Sequence, residues 1–206
     1  LLKLGLVVKS QNKLRVAHRI YSSVLNQSWV DQELVRLDPY GKIRFKLLKL
    51  DEIATLPYRL LTEVFSWTGH QPFLFQKLGQ LLHESESFIW AGEEAARVEQ
   101  LVQTRIIEHW ETQAAGKHLK EIRYRLLNNQ QCEPLHLLRL YQAILQEGEV
   151  PADGSREQAE LVNLGLLAEG QGKLRVANRI YQAVFNLGWV ERELAQMIHV
   201  VQEQPV

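Results

Sequence analysis

The sequence predicts a mainly α-helical protein in which a helical subdomain precedes a winged-helix domain with short β-hairpin wings. Three observations lead to this fold class. Amphipathic helical patterns fill the middle of the chain, three helical patterns followed by a glycine-bearing hairpin stand near its end, and a hairpin-plus-helices unit is duplicated at its N-terminus. Of the 206 residues, 46% are hydrophobic and 23% are charged, as in an ordinary globular protein.

The duplication relates the two ends of the chain. Residues 1–34 return as residues 161–194 with 19 of 34 positions identical. The offset of 160 residues is much longer than the roughly 20 to 50 residues of a solenoid repeat, so it indicates that the end of a domain has been duplicated. Both copies are therefore expected to share one local structure, a hairpin followed by two helices.

The helical subdomain is predicted from three amphipathic stretches, residues 57–67, 72–83 and 92 to about 113. Pro72 suits the first turn of the second helix, because the backbone N–H that proline lacks has no partner within the helix at that position. Residues 37–55 remain open between a strand and a helix. Apolar and basic residues alternate over part of this range, as in a strand, but the leucines that follow also fit helical spacing.

Three further helical patterns, residues 118–127, 134–146 and 155–164, lead into the hairpin of the second copy. Ser155 stands three residues before Gln158, which is the spacing of a capping box. Three helices followed by a hairpin is the order of a winged helix.

The hairpin itself is predicted from two short apolar-rich stretches, residues 166–168 and 174–176, which enclose a turn with two glycines. Asn178 then stands at an N-cap position, and a last helix is expected to begin near Trp189. Three aromatic side chains at helical spacing are expected in the core: Tyr181, Phe185 and Trp189.

Catalytic and metal-binding motifs are missing from the sequence. The seven histidines show no metal-ligand spacing, Cys132 is the single cysteine, and residues 170–173 lack the Ser or Thr that follows lysine in a P-loop. No apolar run approaches the roughly 20 residues of a membrane span. The sequence therefore predicts no enzyme, no metal site and no membrane partner. A single cysteine and the lack of a signal peptide favour a cytoplasmic location, and the lack of an initiator methionine suggests a piece of a longer protein.

Charge is unevenly distributed along the chain, although its net charge is zero. Residues 1–50 carry a net charge of +7, and residues 51–206 carry −7. The basic quarter is either a solvated face or a surface for phosphate or for acidic protein. The third helix of the second copy has two acids against one arginine, so protein is favoured there over nucleic acid. The candidate nucleic-acid contacts are Lys9, Lys13, Arg15, Lys42, Arg44 and Lys46.

Four segments carry a family resemblance: FSWTGHQPFL at 65–74, TRIIEHWE at 104–111, LYQAILQEGEV at 140–150 and NRIYQAVFN at 178–186. They resemble the AAA-like, STAND-type NTPases of large multidomain cyanobacterial proteins. The resemblance covers about residues 40 to 200, which correspond to the helical lid and the winged helix of that family but not to its P-loop core.

The resemblance implies three parts: a partial winged-helix unit at 1–36, a lid-like subdomain at 37–116 and a winged-helix domain at 117–206. It implies a non-catalytic regulatory and protein-interaction segment that couples nucleotide state or partner binding to an effector. Its partners would be other domains or subunits of a larger assembly. Independently of the resemblance, the first copy of the repeat lacks the helices that precede the second, so it is expected to pack against a surface within this chain or on a second copy of it. The alternative is a nucleic-acid-binding winged-helix module that uses the basic N-terminal quarter.

The resemblance also implies a nucleotide contact. In related NTPases a Gly-x-Pro turn can lie against the adenine, which carries over onto Gly69, Gln71 and Pro72. The other interpretation of these residues is a plain helix–helix turn with Pro72 as the first helical residue. ATP or ADP would in either case require a separate core domain.

Overall fold

The computed structural model describes residues 7–10, 13–16, 48–69, 71–108, 110–112 and 116–202. In these residues the protein is mainly helical, with two small antiparallel sheets. The helices are α1 (Pro57–Thr68), α2 (Pro72–Glu84), α3 (Glu94–Val102), α4 (Lys117–Leu127), α5 (Pro134–Glu147), α6 (Arg156–Asn163), α7 (Arg179–Val184) and α8 (Leu187–Gln202). The strands are β1 (Val7–Ser10), β2 (Lys13–Val16), β3 (Glu149–Pro151), β4 (Leu167–Gly170) and β5 (Lys173–Val176).

The predicted mainly helical class is confirmed, and so are five of the helices. Helices α1, α2, α4, α5 and α6 each begin and end within one residue of the predicted range. The last helix, α8, begins two residues before Trp189, because the Asn186 side chain accepts a hydrogen bond from the Trp189 backbone N–H at 3.0 Å and caps the first turn.

The third helix of the predicted helical subdomain is shorter than the sequence pattern indicated, so the prediction of a helix to about residue 113 is wrong. Helix α3 gives way to a π-helical turn over Gln103–Ile107, and Glu108 is extended, with φ −62° and ψ 125°. The Glu108 N–H donates to the Gln103 carbonyl at 2.8 Å, which is the wider spacing of a π-turn. Hydrophobic periodicity cannot distinguish this ending from a continuing helix.

Leu48 is helical, whereas residues 49–55 form neither the strand nor the α-helix that the sequence left open. A 3₁₀ turn covers Leu50–Glu52, and Lys49 before it has a left-handed backbone with φ 45°. Ala54 then forms a single parallel bridge to Ile89. The rest of the range, residues 37–47, lies outside the described residues.

Contacts divide the chain into two compact units. One consists of Leu1–Thr62 and Glu86–Ala95, and the other of Glu63–Ser85 and Ala96–Val206. The sequence-based boundaries after residues 36 and 116 remain a prediction, and the first of them falls outside the described residues.

In the second unit, β3, β5 and β4 form a three-stranded antiparallel sheet in that order. The hairpin of β4 and β5 is the one predicted from the sequence. Its turn residues Gln171 and Gly172 both have positive φ, 54° and 72°, which is the geometry that matches the twist of a two-residue hairpin.

Capping groups begin the helices on both sides of this hairpin, as the sequence predicted. The Ser155 hydroxyl accepts from the Gln158 N–H at 3.4 Å at the start of α6. The Asn178 side-chain oxygen accepts from the Tyr181 N–H at 2.8 Å at the start of α7. Each cap provides a partner for a backbone donor that the first helical turn leaves unpaired.

The core of this unit contains the three aromatic residues expected there. Tyr181, Phe185 and Trp189 are all buried. The rings of Phe185 and Trp189 meet edge to face with centroids 4.9 Å apart, and Trp110 meets Phe185 in the same way at 5.6 Å. The prediction that these aromatics are core residues is confirmed.

The first copy of the repeat is described only in its hairpin. Strands β1 and β2 pair Val7 with Val16 and Ser10 with Lys13, and β4 and β5 pair the residues that stand 160 positions later. The two hairpins thus share one register. The helices predicted to follow β2 lie outside the described residues, so duplication of the whole unit remains a prediction.

Candidate functional site

The turn between α1 and α2 holds the three residues predicted to contact a nucleotide. Gly69 has a φ of +54°, and a Cβ atom there would stand only 2.2 Å from the carbonyl oxygen of Ala177. The Gln71 side chain accepts a hydrogen bond from the Leu74 N–H at 2.8 Å and caps α2, of which Pro72 is the first residue. All three residues therefore have a structural task in joining two helices.

An arginine lies beside this turn. The Arg179 guanidinium carbon lies 3.8 Å from the ring centroid of Trp67, and its Nη1 donates to the Ser66 hydroxyl at 3.3 Å. Trp67 is buried and Arg179 is exposed, so the cation covers one face of the ring. Together with the contact between Gly69 and Ala177, this stacking ties the end of α1 to the start of α7.

A partly buried cluster of side chains, His118, Tyr181 and Phe73, lies near the same helices. His118 Nε2 lies 2.8 Å from the Tyr181 hydroxyl, and the Phe73 ring lies 4.9 Å from the imidazole. Burial lowers the pKa of His118 and raises the pKa of Tyr181, so the imidazole and the phenol are both favoured in their neutral forms. The neutral imidazole of His118 and the neutral phenol of Tyr181 can form one hydrogen bond with each other, and neither group is activated as a nucleophile.

Arg123 links three parts of the second unit. Its Nη2 lies 2.7 Å from a carboxylate oxygen of Glu193 on α8, and its Nη1 lies 3.4 Å from Glu111. Glu193 is buried and Arg123 is partly buried, so this ion pair is less screened than a surface pair. Its position between elements indicates a structural role.

The candidate nucleic-acid residues divide into two groups. Lys9, Lys13 and Arg15 lie on the β1–β2 hairpin, and Lys42, Arg44 and Lys46 lie outside the described residues. The structure therefore brings three of the six together on one wing.

The corresponding wing of the second copy is balanced in charge. Glu169, Lys173 and Arg175 stand at the positions of Lys9, Lys13 and Arg15. Lys173 forms an ion pair with Glu149 of β3, and Glu149 also stands opposite Arg175 in the register. The two wings thus have the same strand register but differ in charge.

Helix α6 is the third helix before the β4–β5 hairpin, which is the position of a recognition helix. It has no basic face. Its single arginine, Arg156, donates to the Gln131 side chain at 3.0 Å. Glu160 on the same helix accepts from the Asn129 side chain at 2.8 Å. An acid and a single arginine already engaged by a neighbour make a poor surface for a polyanion.

An exposed aromatic pair in the first unit was not identified from the sequence. Phe88 and Trp90 are 47% and 64% exposed, and their rings meet edge to face with centroids 5.1 Å apart. Ile89 between them is only 1% exposed, because its backbone bridges to the segment around Ala54. A run of three apolar residues contains no period that shows which of them faces outward.

Other kinds of site find no support in the residues that the structure describes. No three histidine, cysteine, aspartate or glutamate side chains there come close enough to hold a metal ion. Among the same residues, no helix is both long enough and apolar enough to cross a bilayer.

The described residues thus define a mainly helical protein with small antiparallel sheets and an exposed aromatic pair. No protein family model and no solved structure matches the chain. Over 154 residues, the chain is 40% identical to a protein of Synechocystis sp. described as an uncharacterized WD repeat-containing protein. The match covers 73% of this chain and 13% of that relative, so the chain spans a small part of the relative's length.

This finding corrects the family assignment. The relative is described by its WD repeats, so the assignment to AAA-like, STAND-type NTPases is wrong. Two of the segments behind that resemblance contain helix caps, Gln71 and Asn178, and capping chemistry recurs wherever one helix follows another. Coupling to nucleotide state and the adenine contact at the α1–α2 turn were implied by that resemblance and lose their basis with it.

Proposed function

We propose that this chain is a non-catalytic protein-interaction segment of a longer protein that carries WD repeats. Two findings support the proposal: the 40% identity to a WD repeat-containing protein and the small share of that protein, 13%, that the chain spans. A segment of such a protein has other domains available as partners.

The observation that carries the proposal is the exposed pair of Phe88 and Trp90. Tryptophan and other large aromatics are enriched at the centre of protein interfaces, where each buries much area with little loss of side-chain entropy. The pair is held in place from both sides. The Ile89 N–H donates to the Ile53 carbonyl at 2.8 Å, and the Trp90 N–H donates to the Glu93 carboxylate at 3.0 Å.

Glu93 also fixes the turn that follows, because its own N–H donates to the Trp90 carbonyl at 3.0 Å. The hydrogen bonds on both sides fix the backbone at Trp90, and the ring contact with Phe88 restricts its side chain. Binding through Trp90 would therefore lose little conformational entropy.

The test uses the whole chain and the WD-repeat region of the Synechocystis relative, mixed and followed by isothermal titration calorimetry. Replacing Trp90 with alanine should weaken the association by about thirtyfold, as expected for loss of a central aromatic anchor. Tyr124→Ala is the matched control, because Tyr124 is also 64% exposed but lies on α4 in the other unit. Equal losses in the two variants, or wild-type affinity in Trp90→Ala, would contradict the proposal.

The proposal also includes the finer structural and cellular expectations. We propose a winged helix for residues 117–206, which the order of α4, α5 and α6 before the β4–β5 hairpin supports. Absence of enzymatic activity and a cytoplasmic location remain predictions from the sequence.

Nucleic-acid binding is the second candidate, and one observation favours it: Lys9, Lys13 and Arg15 lie on a single hairpin. The charge-balanced second wing and the net acidic α6, with two glutamates against one arginine, count against it. A titration of duplex DNA at several salt concentrations separates the candidates. If the logarithm of the association constant falls linearly with the logarithm of the salt concentration, phosphate contacts are supported. If the chain does not bind DNA at low salt, this function is excluded.

A further inference from the structure

The two hairpins of the chain differ in the number of strands that pair with them. Strand β5 lies between β4 and β3, so both of its edges are hydrogen-bonded. The equivalent strand β2 pairs with β1, and in the described part of the chain their sheet has no third strand. One edge of β2 is thus open there. Such an edge presents backbone N–H and C=O groups in the spacing that another strand requires.

The open edge of β2 is equivalent to an edge whose occupant is known. β2 and β5 have the same sequence, Lys-Leu-Arg-Val, and each pairs with its hairpin partner in the same register. A strand that fits the edge of β5 therefore has the sequence and the register to fit the edge of β2.

The occupant of the β5 edge is β3. It pairs antiparallel, with Glu149 opposite Arg175, Val150 opposite Leu174 and Pro151 opposite Lys173. The pairing continues beyond the strand, because the Ala152 N–H donates to the Gly172 carbonyl at 2.8 Å. Proline is tolerated in β3 because this strand lies at the edge of its sheet.

Charge sets the register of this occupant. Glu149 stands opposite Arg175 in the register and forms an ion pair with Lys173, so one acidic residue lies beside both bases of β5. Lys13 and Arg15 are the two equivalent bases of β2. Cross-strand pairs of opposite charge stabilise a sheet, whereas like charges destabilise it.

From this internal precedent we propose that the open edge of β2 binds an extended segment of a partner protein with the chemistry of β3. The bound segment places an acidic residue opposite Arg15, a β-branched apolar residue opposite Leu14 and a proline opposite Lys13. Main-chain hydrogen bonds supply the affinity, and the acid selects the register. This contact goes beyond the one proposed for Trp90 and does not depend on it.

The test titrates a synthetic peptide with the sequence of residues 146–153, Gln-Glu-Gly-Glu-Val-Pro-Ala-Asp, into the ¹⁵N-labelled full chain. Backbone amides are followed by NMR. The amides of Lys13–Val16 should shift in a saturable way and exchange with solvent about tenfold more slowly in the complex, because strand addition protects them. The amides of Lys173–Val176 should not move, since β3 already occupies that edge.

A charge swap then tests the register. Arg15→Glu should weaken peptide binding by about fivefold. A peptide with lysine in place of the glutamate that corresponds to Glu149 should restore binding to the Arg15→Glu variant. Lys9→Glu is the matched control, because it makes the same change of charge on β1, away from the open edge, and should leave the affinity for the peptide unchanged.

Three results would overturn the proposal. The peptide could leave all amides unshifted at millimolar concentration, or it could shift β5 instead of β2 by displacing β3. Protection of the β2 amides that rises with protein concentration before any peptide is added would show that a second copy of the chain occupies the edge. None of these results bears on the Trp90 contact, so the two proposals fail separately.

Discussion

Gly69 has an environment that a distant part of the chain determines. Its positive φ favours glycine, and so does the Ala177 carbonyl oxygen, which would lie 2.2 Å from any Cβ atom at this position. Only the second constraint comes from a residue more than 100 positions later in the chain. The family resemblance implied a contact with adenine at Gly69. In the structure, the space next to its α-carbon is occupied by the protein's own backbone.

Gly69→Ala should lower the free energy of unfolding by about 2 to 4 kcal/mol, because it combines backbone strain with a clash against a backbone oxygen. Urea unfolding measures the loss. Gly92→Ala is the control, since Gly92 also has a positive φ, 96°, but has no atom within 4 Å of the added Cβ. It should lose only the conformational part, about 1 kcal/mol. Equal losses in the two variants would show that Ala177 does not constrain this turn.

Trp189 is the second residue whose role can be tested by stability. It is 2% exposed and packs against Phe185, and its indole N–H has no hydrogen-bond partner in the described part of the chain. Trp189→Ala should therefore lower the free energy of unfolding by about 3 to 5 kcal/mol, the range for a large aromatic removed from a core. A variant as stable as the wild type would mark Trp189 as an interface residue instead.

At the scale of elements, the sequence predicted what local chemistry determines. Ser155 and Asn178 mark helix starts through bonds that span three residues, and the hairpin register follows from a two-residue turn. The end of α3 could not be predicted, because the π-turn at Gln103–Ile107 keeps an apolar pattern while changing the hydrogen bonds. The aromatic pair was missed for a related reason, since Ile89 is turned inward by Ala54, 35 residues earlier in the chain.

The contact between α4 and α7 should make stability depend on pH. Burial lowers the pKa of His118 below its ordinary value of 6.5, so the unfolded chain binds a proton more readily than the folded one. The free energy of unfolding should then fall as the pH drops through 6.5 and below, and recover above it. Urea unfolding at pH 7.5 and at pH 5.5 measures the difference.

His118→Gln provides the control for this prediction. Glutamine can still bond the Tyr181 hydroxyl but does not titrate, so the part of the pH dependence due to His118 should disappear. If the variant and the wild type lose the same stability between pH 7.5 and pH 5.5, another group is responsible.

At the scale of the whole molecule, opposite charges on two parts of the chain favour self-association. Residues 1–50 carry a net charge of +7 and residues 51–206 carry −7. The basic part of one copy can therefore attract the acidic part of another. A homodimer should therefore form at low salt and dissociate as the salt concentration rises. Sedimentation equilibrium at low and high salt checks this, and a monomer mass at all salt and protein concentrations would contradict it.

The chain passes between its two units three times, after Thr62, after Ser85 and after Ala95. No single cut can therefore yield either unit free of the other's residues. A fragment that starts at residue 63 would retain residues 86–95 but lose Ile53 and Thr55, whose backbone groups hold Ile89. Ile89 would then be exposed together with Phe88 and Trp90, and the three would form a continuous hydrophobic patch. Such fragments should aggregate during purification unless Ile89 is replaced by a polar residue.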